Sequence, residues 1–351
     1  MNTEHSEHQH PHQENYNKAP LIVTWEMTQA CDLSCDHCRA DANPERNPDE
    51  LSTEEGKQLI DQIGDFAPSS PILVLSGGDP LKRPDIFELA DYATENEIST
   101  AIAPAPTPQL DDDIIEMFAE IGIKRMALSL DGGSAETHDA FRGEEGSFNT
   151  IRRVCQYANE LGIPLQINTT ITRETITELP EIADLVETIG AVMWEVFFLV
   201  PIGRGKELEQ LSPSMAEEVM EWLYNRQKDA PFKLITVEAP HYRRVAKQLS
   251  TDESENRRVG STRAGKGFLF VNHTGEVYPS GFLPKSVGNI RENNIVSIYR
   301  EAPLLRNLRD ADQFLGPCGD CQYRELCGGS RSRAYAMTGD PLESDPLCDY
   351  S

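Results

Sequence analysis

The sequence predicts an α/β fold: a partial (β/α)6 TIM-like barrel over residues 20–235, followed by a small C-terminal α+β domain over residues 260–351. Three observations carry this. Short apolar runs alternate with amphipathic helical stretches six times, which implies βαβ units and a parallel sheet. Six units are too few to close an eight-stranded barrel, so the sheet curves but stays open. Beyond residue 260 the pattern changes to a hairpin, a helix and a cluster of cysteines.

The elements follow in order. Residues 1–19 are polar and contain His5, His8, His10 and His12, four of the eight histidines. They read as a disordered, solvated tail, with weak metal binding by the histidines as the alternative. Strands are expected at 21–27, 71–75, 98–103, 125–130, 165–172 and 194–200. Helices are expected at 53–66, 84–95, 112–121, 147–161, 179–188 and 214–228. Ser52-Thr-Glu-Glu55 has the pattern of a capping box opening the first helix. Residues 231–237 are a candidate extra strand, and the polar stretch 251–258 marks the region of the domain boundary. Residues 267–279 read as two short strands around a Thr274-Gly275 turn. A helix over 295–309 precedes the second cysteine group.

The chain has 351 residues, 38% of them hydrophobic, enough to build a sizeable core. No apolar run approaches the roughly 20 residues of a membrane span, and the polar N-terminus lacks the pattern of a secretory signal. Eight cysteines in clustered spacings fit metal binding in a reducing cytoplasm better than a disulfide scaffold. With 58 acidic and 32 basic residues, the net charge of -26 argues against nucleic-acid binding. The acids are spread along the chain, and a wholly acidic, solvated surface suits a halophilic cytoplasm where salt screens self-repulsion. The melting temperature is therefore expected to rise between low and molar salt. A protein most stable in low salt contradicts this reading.

Chemistry concentrates in Cys31-Asp-Leu-Ser-Cys35-Asp-His-Cys38, directly after the first strand. Three thiolates from one loop can hold three irons of a [4Fe-4S] cube and leave the fourth iron open, whereas an electron-transfer cluster is tied by four cysteines. The alternatives are a zinc knuckle, with His37 or a distant cysteine as fourth ligand, and three free surface thiols. Ligands of barrels and open parallel sheets sit at the carboxyl ends of the strands, where this loop falls.

The loop resembles the C-x3-C-x-(aromatic)-C signature of the radical S-adenosylmethionine (radical SAM) enzymes, with His37 at the aromatic position. The resemblance implies that Cys31, Cys35 and Cys38 hold a [4Fe-4S] cluster whose open iron chelates S-adenosyl-L-methionine (SAM). One electron then cleaves SAM to methionine and a 5′-deoxyadenosyl radical. It also implies the partial barrel. Ser76-Gly-Gly-Asp-Pro80 resembles the family's GGEP motif, which makes Gly77, Gly78, Asp79 and Pro80 cofactor-binding candidates; read alone, it is a common turn. Ser129, Asp131, Asn168 and Thr169, polar at strand ends, are candidate SAM contacts, with ordinary strand-end capping as the alternative. His138-Asp-Ala-Phe-Arg142-Gly resembles a segment of the family branch with a C-terminal extension, and Arg142 suits a carboxylate of SAM or substrate. Gly203-Arg-Gly205 is a weaker small-residue loop at the same end.

Cys318-x2-Cys321-x5-Cys327, with Cys348 following, matches the core of the family's SPASM or twitch extension. Ser280 and Ser330-Arg331 stand where further cysteines are expected, so the resemblance implies one auxiliary [4Fe-4S] cluster on four cysteines. Zinc is the alternative. Cys155, on an apolar helix face, reads as a buried thiol. The segment from Cys327 to Cys348 is similar to the tails of radical SAM enzymes that tailor tetrapyrroles, the haem b synthase and haem d1 group. There Arg331 and Arg333 would suit propionates, or else cap a helix or cover an acidic surface. The implied activity is oxidative decarboxylation of a tetrapyrrole, driven by a low-potential donor such as ferredoxin or flavodoxin. Maturation of a ribosomally made peptide or peptide-derived cofactor is one alternative; a non-catalytic iron-sulfur or zinc protein is another.

Overall fold

The computed structural model describes residues 16–67, 70–250 and 262–350; most of the histidine-rich tail and the polar stretch 251–258 lie outside them. The barrel strands are β1 (Ile22–Glu26), β2 (Ile72–Ser76), β3 (Thr100–Ile102), β4 (Arg125–Ser129), β5 (Leu165–Ile171), β6 (Met193–Phe198) and β7 (Lys233–Val237). Between and after them run α1 (Thr53–Gly64), α2 (Ile86–Glu95), α3 (Asp112–Ile121), α4 (Ala135–Arg142), α5 (Ser147–Glu160), α6 (Leu179–Ile189), α7 (Pro213–Asp229) and α8 (His241–Leu249). The C-terminal region adds strands β8 (Arg263–Ala264), β9 (Gly267–Val271), β10 (Glu276–Tyr278) and β11 (Gly288–Asn289). Its helices are α9 (Ile295–Glu301), α10 (Pro303–Arg309), α11 (Gly316–Asp320) and α12 (Arg331–Thr338). No helix among the described residues is long and apolar enough to cross a membrane.

All seven barrel strands run parallel, so residues 231–237 do supply a strand beyond the expected six. The sheet order is β11-β10-β9-β1-β2-β3-β4-β5-β6-β7. The C-terminal hairpin does not form a sheet of its own: β9 pairs in parallel with β1, Ile22 opposite Phe268 and Trp25 opposite Val271. The two expected domains therefore share one sheet and one hydrophobic core.

Strand pleating sorts side chains between the helix layer and the inner face of the curved sheet. On β5, Leu165, Ile167, Thr169 and Ile171 are buried, while Gln166, Asn168 and Thr170 are half-buried on the other side. The helices bury apolar stripes against the first set, joining Trp25, Leu73, Leu128, Ile167 and Trp194 in one core. The capping box forms as expected: Ser52 Oγ accepts from the Glu55 amide at 3.2 Å, and Glu55 Oε2 accepts from the Ser52 amide at 2.8 Å.

Three expectations change. The helix over 295–309 is two helices, because Ala302 is extended ahead of Pro303, which opens the second. The tail packs earlier than its polarity suggests. Tyr299 Oη donates to the Tyr16 carbonyl at 2.7 Å, Arg300 Nε donates to that of Lys18 at 2.8 Å, and Ala19 is buried. Helix α8 was absent from the expected elements. Its signal was the helical spacing of Tyr242, Val245 and Ala246, all buried.

Candidate active site and auxiliary cysteine site

Strand β1 delivers the chain into the Cys31–Cys38 loop at the carboxyl edge of the sheet. The Cys31 amide donates to the Asn43 carbonyl at 2.8 Å and the Cys38 amide to that of Cys35 at 3.2 Å. Cys31, Cys35 and Cys38 share a small apolar cluster with Leu33, Ala42 and Ala105. Two amides aim at sulfur: Leu33 N–H at Cys31 Sγ and Ala42 N–H at Cys38 Sγ, each 3.4 Å away. Burial pushes the Cys31 thiol up to about 12 and raises that of Cys35. As free groups they stay protonated, so thiolates here need a positive partner or a metal.

Arg142 is that positive partner. It is buried at the end of α4, and its Nη1 donates to Asp131 Oδ2 at 3.2 Å and to His37 Nε2 at 3.3 Å. Burial alone would lower its pKa, but the three cysteines and Asp131 outweigh this and raise it. Among the described residues its buried Nε has no partner. His37 stacks on Phe141 with ring centroids 4.7 Å apart and planes 8° from parallel. Burial, then Arg142 and Arg204, hold His37 well below its usual value. The neutral ring accepts at Nε2, so its proton sits on Nδ1. It backs the cysteine loop. Asp36 N–H donates to the Phe141 carbonyl at 3.1 Å, so the 138–143 segment holds the loop as well as facing it.

Gly77 and Gly78 are required by packing. A Cβ at Gly77 would lie 2.5 Å from the Thr28 carbonyl oxygen, and one at Gly78 2.5 Å from that of Ala30. The amides of Gly78 and Asp79 already donate to Thr28 and Ala30. Asp79 is fully buried; its carboxylate caps the short 3-10 turn Pro80–Lys82 through the Leu81 amide (3.1 Å) and also accepts from the Ala105 amide (3.3 Å). The Asp79 carboxylate thus ties the β2 and β3 ends together. Ser129 and Asn168 face each other in register on the inner face, with Asp131 beyond them. Thr169 points the other way. It is buried in the helix layer, where its Oγ1 donates to the Leu130 carbonyl at 2.7 Å and accepts from Trp194 Nε1 at 2.9 Å. Its candidacy as a SAM contact fails on strand parity.

Sequence reasoning passed over Arg204. Its amide donates to the Cys38 carbonyl at 3.0 Å, its Nε to that of Cys35 at 2.9 Å and its Nη1 to that of Ala42 at 3.0 Å. Gly203, at φ +53°, lies so close that a Cβ would meet the Cys38 oxygen at 2.3 Å. A Gly203→Ala variant is expected to lose iron selectively from the first site, seen as a fall in bound iron and in SAM cleavage while the C-terminal site stays loaded. Unchanged iron would show that the clamp is dispensable.

The mouth of the barrel is a cavity of about 450 Å³ lined by Glu26, Arg39, Lys206, Phe270, Tyr278 and Tyr335, among others. Arg39 pairs with Glu26 at 2.7 Å and lies 4.6 Å above the Phe270 ring. Burial would raise the Glu26 carboxyl, but Arg39 and His273 hold it below its usual value. A recess of about 550 Å³ around Glu97 and Lys124 lies at the opposite, amino edge of the strands and touches none of these groups.

Three thiols of the second cysteine group lie near one another. Cys318, Cys327 and Cys348 are near enough that, on top of burial, Cys348 raises Cys327, which reaches about 12, and Cys318 raises Cys348. Cys321 Sγ accepts from the Tyr323 amide at 3.4 Å and Cys327 Sγ from that of Gly329 at 3.4 Å. Among the described residues no three His, Cys, Asp or Glu side chains already stand in ligand geometry. The fit to a metal cluster therefore rests on the thiols' surroundings. At both sites these are buried guanidinium groups with unpartnered nitrogens: Arg142 Nε at the first, Arg263 Nη2 and Arg331 Nη2 at the second. Buried cations of this kind suit anionic thiolate clusters.

Arg331 and Arg333 are not available to propionates. Arg333 pairs with Asp345 at 3.2 Å and donates to the Phe198 and Leu199 carbonyls, and Arg331 donates to those of Pro341 and Glu343. Both are buried. Ser280 and Ser330, in the positions of the missing cysteines, both donate to Glu238, as does Ser332 at 2.8 Å. Cys155 is a buried core thiol pushed up to about 12 by burial.

A model of the radical SAM superfamily matches residues 25–186. The AdoMet-dependent heme synthase of Methanosarcina barkeri is 39% identical over 341 residues, covering 95% of this chain and 97% of that protein. The protein of the same name from Nitratidesulfovibrio vulgaris is 39% identical, covering 94% and 92%. Among solved structures, SuiB of Streptococcus suis bound to S-adenosylmethionine superposes with a TM-score of 0.76 over 95% of this chain and 78% of that one, at 18% identity; this shows a shared fold.

Proposed function

The chain belongs to the radical SAM superfamily, an iron-sulfur enzyme family that uses SAM and a [4Fe-4S] cluster, and from that membership we propose that it oxidatively decarboxylates propionates of an iron tetrapyrrole to give haem. The observation that carries this is the 39% identity to an AdoMet-dependent heme synthase over 95% of the chain. Cys31, Cys35 and Cys38 would hold the cluster. Bound there, it supplies the electron that cleaves SAM and so the 5′-deoxyadenosyl radical. Ser129, Asn168 and Asp131 line the inner face, where a polar cofactor finds hydrogen-bond partners. At the mouth, Phe270, Tyr278 and Tyr335 suit a flat macrocycle, and Arg39 and Lys206 suit its carboxylates.

In the proposed reaction, the substrate propionate gives a hydrogen atom to the deoxyadenosyl radical. Its bond to the carboxylate then breaks, carbon dioxide leaves, a vinyl group remains, and one electron must be taken up. Cys318, Cys321, Cys327 and Cys348 would hold an auxiliary [4Fe-4S] cluster fit to receive it. A low-potential donor such as ferredoxin or flavodoxin would serve the first site, in a reducing cytoplasm.

The test is anaerobic incubation of the purified protein with dithionite, SAM and iron coproporphyrin III, followed by mass spectrometry. Stepwise loss of carbon dioxide and two hydrogens from each of two propionates is expected. Deoxyadenosine formed over an unchanged porphyrin would pass the substrate role to a peptide; no deoxyadenosine would end the enzymatic reading.

A further inference from the structure

Buried cations gather at the second cysteine group: Arg243 and Arg263 act on Cys327, Arg244 acts on Cys348, Arg331 lies beside Cys318 next to Gly329, and Lys266 lies behind Arg263 and Arg243. Their anionic company is thin. Asp345 pairs with Arg333 and faces His241, Glu217 pairs with Arg244, the Glu238 carboxylate accepts from the Ser330 and Ser332 hydroxyls, and Glu325 is exposed. Arg243, Arg263 and Arg331 spend their hydrogen bonds on carbonyls: Arg243 on Leu326 and Thr262, Arg263 on Cys327, Arg324 and Glu325, Arg331 on Pro341 and Glu343. Lys266 Nζ makes no hydrogen bond or ion pair among the described residues. The first site differs: its one buried cation at the thiols, Arg142, already has Asp131 as partner.

Burying an unpaired charge is costly, and a chain with 58 acidic residues has carboxylates to spare. Buried arginines at these thiols, with Lys266 behind them, are matched by negative charge at the sulfurs. Burial, then Arg243 and Arg331, push Arg263 down to about 9, and Cys327 pulls against them. Relief of this repulsion grows with each negative charge added at the sulfurs.

We infer that Arg243, Arg263, Lys266 and Arg331 form an electrostatic shell that favours the reduced, more negative state of the auxiliary cluster. The inference rests on the auxiliary cluster proposed above. It names residues that touch neither substrate nor SAM and act by charge alone.

The test is a redox titration at pH 7 of the protein loaded with both clusters, followed by electron paramagnetic resonance. Lys266, held down to about 8 by burial and by Arg263, is charged there. The auxiliary signal is expected to reduce at the higher potential. Arg243→Gln and Lys266→Met are each expected to lower its reduction equilibrium about tenfold, or about 59 mV for one electron, without moving the first-site signal. Arg243→Lys is expected to retain the wild-type potential. Lys266→Met breaks no hydrogen bond, so it remains informative if Arg243→Gln does not fold. Two clusters whose auxiliary potential is unmoved in both variants would overturn the shell alone. About four irons per chain and a single signal would overturn the auxiliary cluster itself, and the shell with it.

Discussion

Replacing Cys35 with alanine is expected to abolish 5′-deoxyadenosine formation and to lower bound iron from about eight to about four atoms per chain. Cys35 is the buried middle thiol of the loop, and its carbonyl is held by Arg204. No other cysteine can take its place: Cys155 sits on the buried face of α5, and Cys318, Cys327 and Cys348 lie near one another in the C-terminal region. Two thiolates hold a cubane poorly, and the open position loses its geometry with them. The loss is total because the radical has no other source. Cys321→Ala is the counterpart, expected to remove the second set of irons while SAM is still cleaved. Deoxyadenosine formed at wild-type rate by Cys35→Ala would refute the assignment of the first site and favour a partner-binding role.

Arg142→Gln is expected to cost about 3–5 kcal/mol of stability, because it leaves Asp131 charged and buried with its ion pair broken. Asp131 cannot escape to water, since its other oxygen accepts the Thr170 amide at 2.7 Å. The double variant Asp131→Asn/Arg142→Gln removes both charges and is expected to regain most of that stability. It is not expected to regain iron, since the positive neighbour of the three thiols is still missing. Denaturant melts of the metal-free protein, set beside iron content, separate the two effects. If the double variant bound iron like the wild type, Arg142 would serve the fold through Asp131 and owe nothing to the thiols.

Legibility in the sequence followed periodicity and spacing. The parallel barrel strands, the capping box at Ser52 and the helices between could be read because each depends on neighbours a few residues apart. Both cysteine groups stood out for the same reason. Thr169 was misjudged because a polar residue at a strand end looks alike on either face, and only the pairing with β6 shows it under Trp194. Arg331 and Arg333 resembled carboxylate binders, but the fold turns them inward onto Asp345 and backbone carbonyls. Proline at 303 was visible in the sequence and its break was missed; the residue before a proline leaves the helical region.

By itself the sequence determined the α/β class, the three-thiol loop at a strand end, the second cysteine group and the family these imply. Those are local patterns, written in residues that are close along the chain. The tertiary structure alone decided that β9 joins β1, so that the C-terminal strands extend the barrel sheet. It also decided that Arg204 clamps a loop more than 160 positions earlier and that Arg142 lies among three thiols. Charge and close packing act through space, with no period along the chain, so nothing short of the folded arrangement could pair those residues.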